Sequence, residues 1–296
     1  MNTIISDDRK EYLSKKKRRK RLILITQILT LIIFIALWEL FANLGVIDSF
    51  LMSSPSRIVK TILDMSSNNL ITHLSVTCLE TIVGFLLGTI IGASLACILW
   101  WSDFVSKVAE PFLVVLNSLP KVALGPVIIV WVGAGTSAII TMALAISLIV
   151  TVLEMLNGFL STDKNIIKMA TTFGATKLQV FTKVVFPSNI STLINALKVN
   201  IGLSLVGVIS GEFLVSKAGL GYLIVYGGQV FKLDLVMTSV IVLGIVAAAM
   251  YQGVVLLEKL ILRFVMHKTT WRTIYYIDKL FGIAEVKLGG ISWKVR

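Results

Sequence analysis

The chain has 296 residues, 56% of them hydrophobic and 15% charged, whereas soluble domains carry about 25% charged residues. That balance excludes a water-soluble globular domain. The net charge of +12 is concentrated in a few segments rather than spread over the chain, which argues for membrane topology and against a nucleic-acid-binding surface.

The first apolar run, Leu22 to Leu44, follows directly on Lys15, Lys16, Lys17, Arg18, Arg19, Lys20 and Arg21. It is too long for the core of a secretory signal peptide, which runs to roughly 7–15 residues, and predicts a first transmembrane helix behind a basic cytoplasmic segment, 1–21. The stretch Ile47 to Thr77 is too polar to span. Pro55 followed by Ile58, Val59, Ile62 and Leu63 predicts an interfacial helix there, on the outer side.

The next predicted span is Leu79–Trp101. Gly84, Gly88 and Gly92 strip one of its faces of side chains, so that another backbone can approach closely; the pattern does not say whether the partner lies in this chain or in a second subunit. Cys78 and Cys97 are 19 residues apart, or about 28 Å along a helix, which predicts two packing residues and neither a disulfide nor a metal site.

A third span is predicted at Phe112–Val132, with Pro111, Pro120, Lys121, Gly125 and Pro126 close together. Such a helix must be kinked, with its freed carbonyls satisfied by protein or water, and so either packs in the interior or lines a path. Ser137–Asn157, Ser191–Phe213 and Leu235–Leu262 complete a plan of about six spans, all-α, with one membrane domain over 22–262. Nine Lys/Arg lie before Leu22, four in the loop 158–190 and seven from Arg263 onward, against two each in 45–78 and 214–235. The positive-inside rule then places both termini and the loop 158–190 in the cytoplasm of a multi-pass cell-membrane protein. The tail 263–296 reads as a basic amphipathic helix on the cytoplasmic surface, built on Trp271, Ile274, Ile277, Leu280 and Phe281, or else as a disordered tail.

The loop 158–190 carries more punctuation than a connection needs. One short helix starts at Ser161 or Thr162 and ends at Gly174; a second runs from Ala175 to Phe186, with Pro187 as its stop. A helix pair of this kind between two spans can dock in a partner's groove and transmit rigid-body motion to both.

At these residues the sequence resembles a known family. Ala170, three residues, Gly174, nine residues, then Val184, Phe186 and Pro187 is similar to the signature loop of binding-protein-dependent ABC importer permeases, E-A-A, three residues, G, nine residues, I, one residue, L-P. Lys168 and Met169 stand where that signature has glutamate and alanine. The segments LNSLPKVALGPVIIVWVGAG, 116–135, and GEFLVSKAGLGYLI, 211–224, are similar to the subgroup that imports nitrate, bicarbonate, sulfonates, taurine and thiamine-precursor pyrimidines. The resemblance implies a type I importer permease fold, a second permease copy in a homodimer, two ATPase subunits and an extracytoplasmic solute-binding protein. It implies an ATPase-coupling role for Lys168, Ala170, Gly174, Ala175, Lys177 and Pro187. The chain has no G-x-x-x-x-G-K-[ST] loop, so ATP is expected on the partner ATPase and no cofactor on this chain.

Polar groups inside spans are expensive and therefore functional candidates. Asn117, Lys121, Lys198, Asn200 and Glu212 are the candidate lining of a translocation path, the two lysines for an anionic solute; Asn117, Asn195 and Asn200 equally suit helix–helix hydrogen bonds. Glu39, Glu80, Glu154 and Glu258 are the other ionisable groups in or near spans. His73 and His267 lie in different loops and form no paired-histidine site of an intramembrane protease. A secondary transporter driven by an ion gradient is the alternative, without the internal repeat such proteins commonly show.

Overall fold

The computed structural model describes residues 7–66, 70–281, 285–288 and 291–294. Side-chain surroundings are described between 11 and 260 except at Leu13 and 65–69. The chain falls into two compact units, one of residues 1–76 with 217–243 and one of 77–216 with 244–296.

In the smaller unit, α1 (Asp7–Asn43) is a single helix. The basic stretch 7–21 is therefore helical and continuous with the span, not a segment apart. Its apolar side chains from Leu22 to Leu37 are exposed, as suits a helix whose solvent is lipid. The short α2 (Ser49–Met52) and α3 (Pro55–Ser66) follow. As predicted, Pro55 opens α3, where its missing N–H costs nothing.

An acidic group organises this region. Asp234, in the first turn of the last helix, accepts from Ser53 Oγ at 2.7 Å and from Arg57 Nε and Nη2 at 3.1 and 2.6 Å. Glu39 accepts from the backbone N–H and hydroxyl of Ser56 at 3.0 and 2.9 Å. α12 (Leu220–Gln229) also belongs to this unit. Gly219, at φ +121°, starts it and donates its N–H to His73 Nδ1, whose ring stacks on Tyr222.

The larger unit is built on three helices, α4 (Leu70–Trp101, of which 77–101 lie here), α7 (Thr136–Leu160) and α11 (Ile190–Val215). The predicted glycine face of α4 finds its partner within the chain. A Cβ on Gly84 would lie 2.7 Å from Ala143 Cβ, on Gly88 2.5 Å from Ser147 Oγ, and on Gly92 2.8 Å from Thr151 Cγ2. Three steps of four residues on one helix meet three steps of four on the other, in ascending order on both, so α4 and α7 run parallel. Gly158 faces Thr192, Gly207 faces Ala143 and Gly211 faces Ile139, which makes α11 antiparallel to α7.

The parallel pair settles the third span. The sequence predicts one kinked helix, but the chain instead forms α5 (Asp103–Ser118), a 3-10 turn (Lys121–Leu124) and α6 (Gly125–Val132), bent by 85°. Pro111 sits inside α5 without breaking it. The break falls at Leu119, extended at ψ 139° before Pro120, because a following proline disfavours the helical region. Since α4 and α7 point the same way, 103–132 must return across the bilayer between them, so the bent pair is one broken crossing. With α1, α4, α7, α11 and α13 (Leu233–Phe281) this makes six crossings among the described residues.

The last helix runs on without interruption through Phe281 and is followed by a small antiparallel hairpin, β1 (Glu285–Leu288) and β2 (Ile291–Lys294), which the all-α reading lacks. The amphipathic face predicted for 271–281 lies outside the described side chains.

Candidate coupling element and translocation path

The loop between α7 and α11 is a fixed piece of structure. Asp163, and not Ser161 or Thr162, caps α8 (Lys164–Thr172), its carboxylate accepting the Asn165 N–H at 2.8 Å. The helix ends in paired backbone bonds, Gly174 N–H to Thr171 O and Ala175 N–H to Ala170 O, with Gly174 at φ +82°. That left-handed cap needs glycine, and a Cβ there would meet nothing within 4 Å.

Thr176 then opens α9 (Lys177–Val180) through a capping box: its hydroxyl accepts the Gln179 N–H, and Gln179 Oε1 accepts the Thr176 N–H at 2.9 Å. Pro187 is not the stop. A π-turn at Phe181–Val185 widens the helix ahead of it, and the proline sits within α10 (Phe186–Ser188). Asn189 ends the element instead. Buried, its amide donates to Val185 O and to Thr162 Oγ1, both at 2.8 Å, tying the exit of α7 to the start of α11.

The two sides of this element differ in chemistry. On the inner side Ile167, Ala170, Ala175 and Phe181 pack on a core of Ala96, Met155, Leu156, Phe159, Val180, Val185 and Ala196. Phe181 is the hub, 4.8 Å from the Trp100 ring and 5.4 Å from Phe159. Lys177 donates to Trp101 O at 2.5 Å, at the C-terminus of α4, where helix carbonyls favour a cation. On the outer side Phe173 is 83% exposed, and Ile166, Met169 and Leu178 are exposed around it, with Lys164 and Lys168 beside them. Of the predicted coupling residues, Ala170, Ala175 and Lys177 thus serve the inner face, Lys168 the outer, Gly174 the turn between, and Pro187 the exposed last turn. Phe181 and Asn189 escaped the sequence reading, as nothing in their spacing marks a tertiary hub.

The candidate path residues do not converge on one site. Lys198 Nζ lies 2.6 Å from Glu258 Oε2, an ion pair between α11 and α13. Asn200, buried on α11, donates to Thr89 Oγ1 of α4 at 2.6 Å. Glu212 is buried and accepts from Thr77 Oγ1 at 2.6 Å; Glu80, also buried, hydrogen-bonds to Glu212 and to Thr136. These three residues bind helix to helix. Lys121 folds back on the end of α5, donating to Asn117 O at 2.8 Å, with Asn117 itself exposed. Cys78 and Cys97 are free thiols.

Six crossings, a broken third span and a helix pair between α7 and α11 define a polytopic α-helical membrane protein. The chain belongs to the binding-protein-dependent transport system inner membrane component family, whose profile matches residues 84–266. It is 26% identical over 267 residues to the putative aliphatic sulfonates transport permease protein SsuC of Bacillus subtilis, covering 90% of this chain and 94% of that one. It is 27% identical over 191 residues to the formylaminopyrimidine transport permease protein ThiX of Halalkalibacterium halodurans, covering 64% and 76%. Its fold matches a chain of the MetNI methionine ABC transporter in an inward-facing conformation, at TM-score 0.57 and 19% identity, over 66% of this chain and 95% of that one. The protein is the multi-pass membrane permease of an ABC importer, a class that works with ATPase subunits and a solute-binding protein.

Proposed function

We propose that two copies of this chain form the translocation unit of an importer, and that the segment 163–188 is the surface on which a separate ATPase subunit, carrying the ATP, acts. The observation behind this reading is the two-sidedness of the helix pair. Its inner face is fastened to α4, α7 and α11 through Phe181, Lys177 and Asn189, while its outer face offers Phe173, Met169, Ile166 and Leu178 to a partner. Force applied to the outer face then moves the three core helices together. The solute belongs to the small anions and pyrimidine-type precursors handled by the relatives, delivered by an extracytoplasmic binding protein.

The test uses the full importer in proteoliposomes. Gly174→Val strains the left-handed cap without a clash, at about 1–3 kcal/mol, and Phe173→Asp puts a charge on the outer face. Both variants should insert and remain folded while ATP-driven uptake falls at least tenfold. Wild-type uptake in both would sink the proposal.

A further inference from the structure

The path residues anticipated from sequence are mostly occupied, yet one polar notch in the larger unit is open. Glu154, Asn157 and Gly158 on α7 and Ser161 at its C-cap occupy steps of three and four, and Thr192 and Asn195 a step of three on α11. Together they line a shallow, open groove of about 460 Å³. Gly158 is among the lining residues, and a Cβ there would lie 2.8 Å from Thr192 Cγ2 and 3.3 Å from Asn189 Oδ1, so the groove leaves no room for a side chain at this position.

Glu154 differs from Glu258, Glu212 and Glu39, which are held by Lys198, Thr77 and Ser56. Glu154 has no hydrogen-bond or ion-pair partner among the described residues, and it lies about 9 Å inside the end of α7, by helical rise. A carboxylate inside a span is costly unless it meets water, a polar protein group or a ligand. No lysine offsets it within the notch, since Lys198 is paired away toward α13 and Lys121 is bound to the end of α5.

We infer that this notch is a solute station on the inner half of the translocation path, selecting solutes that present a positive charge or N–H donors, such as amino-substituted heterocycles, over anions. The inference rests on the importer reading and narrows its substrate class. Glu154 accepts from the cationic or N–H edge of the solute, Asn157 and Asn195 supply paired donors and acceptors, and Ser161 and Thr192 bond its remaining polar groups. A sulfonate or nitrate would meet repulsion at Glu154.

The experiment is cysteine accessibility on the full chain in membrane vesicles, with Cys78 and Cys97 replaced by alanine. Asn195→Cys or Asn157→Cys is treated from the aqueous phase with ethylammonium and ethylsulfonate methanethiosulfonates, with Glu154 intact or as Glu154→Gln. Both cysteines should react, and Glu154→Gln should lower the cationic-to-anionic rate ratio about tenfold, the change expected for one charge at 6 Å in water. Unreactive cysteines, whether covered by lipid or by a second copy, or a ratio indifferent to Glu154, would overturn the inference. ATP-driven uptake of formylaminopyrimidine and of ethanesulfonate, assayed in the same vesicles, separates the two readings. Uptake that persists without ATP removes the importer reading, whereas ATP-driven uptake of ethanesulfonate alone removes only the charge preference.

Discussion

Lys198 and Glu258 close an ion pair at 2.6 Å between α11 and α13, each side chain only about a fifth exposed. Removing one partner leaves the other charge stranded inside the bundle, at a cost of about 3–5 kcal/mol. Lys198→Ala and Glu258→Ala should each lower the melting temperature of the solubilised protein, followed by size-exclusion fluorescence after heating. The exchanged pair, Lys198→Glu with Glu258→Lys, should recover most of the loss and also retain uptake. Restored stability without uptake would instead make Lys198 a solute contact.

The glycine ladder of α4 makes a positional prediction. Gly88→Val forces side-chain atoms into Ser147, and Gly92→Val into Thr151; overpacking of this kind costs about 1–3 kcal/mol. Gly202→Ala, Gly244→Ala and Gly253→Ala meet nothing within 4 Å and should leave expression and thermal stability unchanged. Equal tolerance of both groups would mean that α4 and α7 do not pack as described.

How much of this was legible beforehand depended on the range of the interaction. Span number and orientation follow from composition and from where Lys and Arg fall, which are local properties. The helix–Gly–helix shape of 163–188 was legible because a left-handed cap selects glycine within one turn. The break in the third span was only half legible: a cluster of prolines signals distortion, but whether Pro111 or Pro120 breaks the helix depends on what replaces the lost bond. The path residues misled for a different reason. An asparagine or lysine in a span looks available until its partner is known, and the partners of Asn200 and Glu212 stand 111 and 135 positions away. Glu154 carries the same signal as Lys198 in sequence and differs in having no such partner among the described residues.

Phe181 should be the residue on which stiffness of the helix pair 163–188 depends. It meets Trp100, Trp101, Phe159 and Phe186 at ring distances of 4.8 to 6.3 Å. Phe181→Ala removes the hub at a cost near the lower end of the ~3–5 kcal/mol typical of buried phenylalanine. Hydrogen exchange across 163–188 should quicken while α7 and α11 keep their protection, and uptake should fall more than ATP hydrolysis. Thr176→Val, which removes half of the capping box, costs about 1 kcal/mol and should show the same pattern more weakly.

Glu212 is buried and accepts the Thr77 hydroxyl at 2.6 Å, with the buried Glu80 beside it. Glutamine at 212 can still accept from Thr77 and donate to Glu80, so Glu212→Gln should be stable within about 1 kcal/mol. Glu212→Leu strands the Thr77 hydroxyl and the Glu80 carboxyl and should cost at least ~2 kcal/mol. The same thermal assay reads both. A severe effect of Glu212→Gln would show that Glu212 needs its charge, and with it a cation at this position.

Asp234 takes the Ser53 hydroxyl on Oδ1 and one edge of the Arg57 guanidinium, Nε and Nη2, on Oδ2, while Arg57 Nη1 donates to Ser49 O. Ser53 is fully buried at φ +57°, a conformation that costs a non-glycine residue about 1–3 kcal/mol and is held by its bond to Asp234. Ser53→Gly should therefore be nearly neutral, because relief of the backbone offsets the lost hydroxyl. Asp234→Ala should lose about 2 kcal/mol, since it frees both Arg57 and Ser53. Arg57→Lys keeps the charge but loses the fork and should fall between them. Limited proteolysis of the segment 44–57 from the outer side of the membrane, with the three variants ranked in that order, checks the arrangement; if Ser53→Gly is cleaved as fast as Asp234→Ala, the strain argument fails and the hydroxyl alone holds the turn.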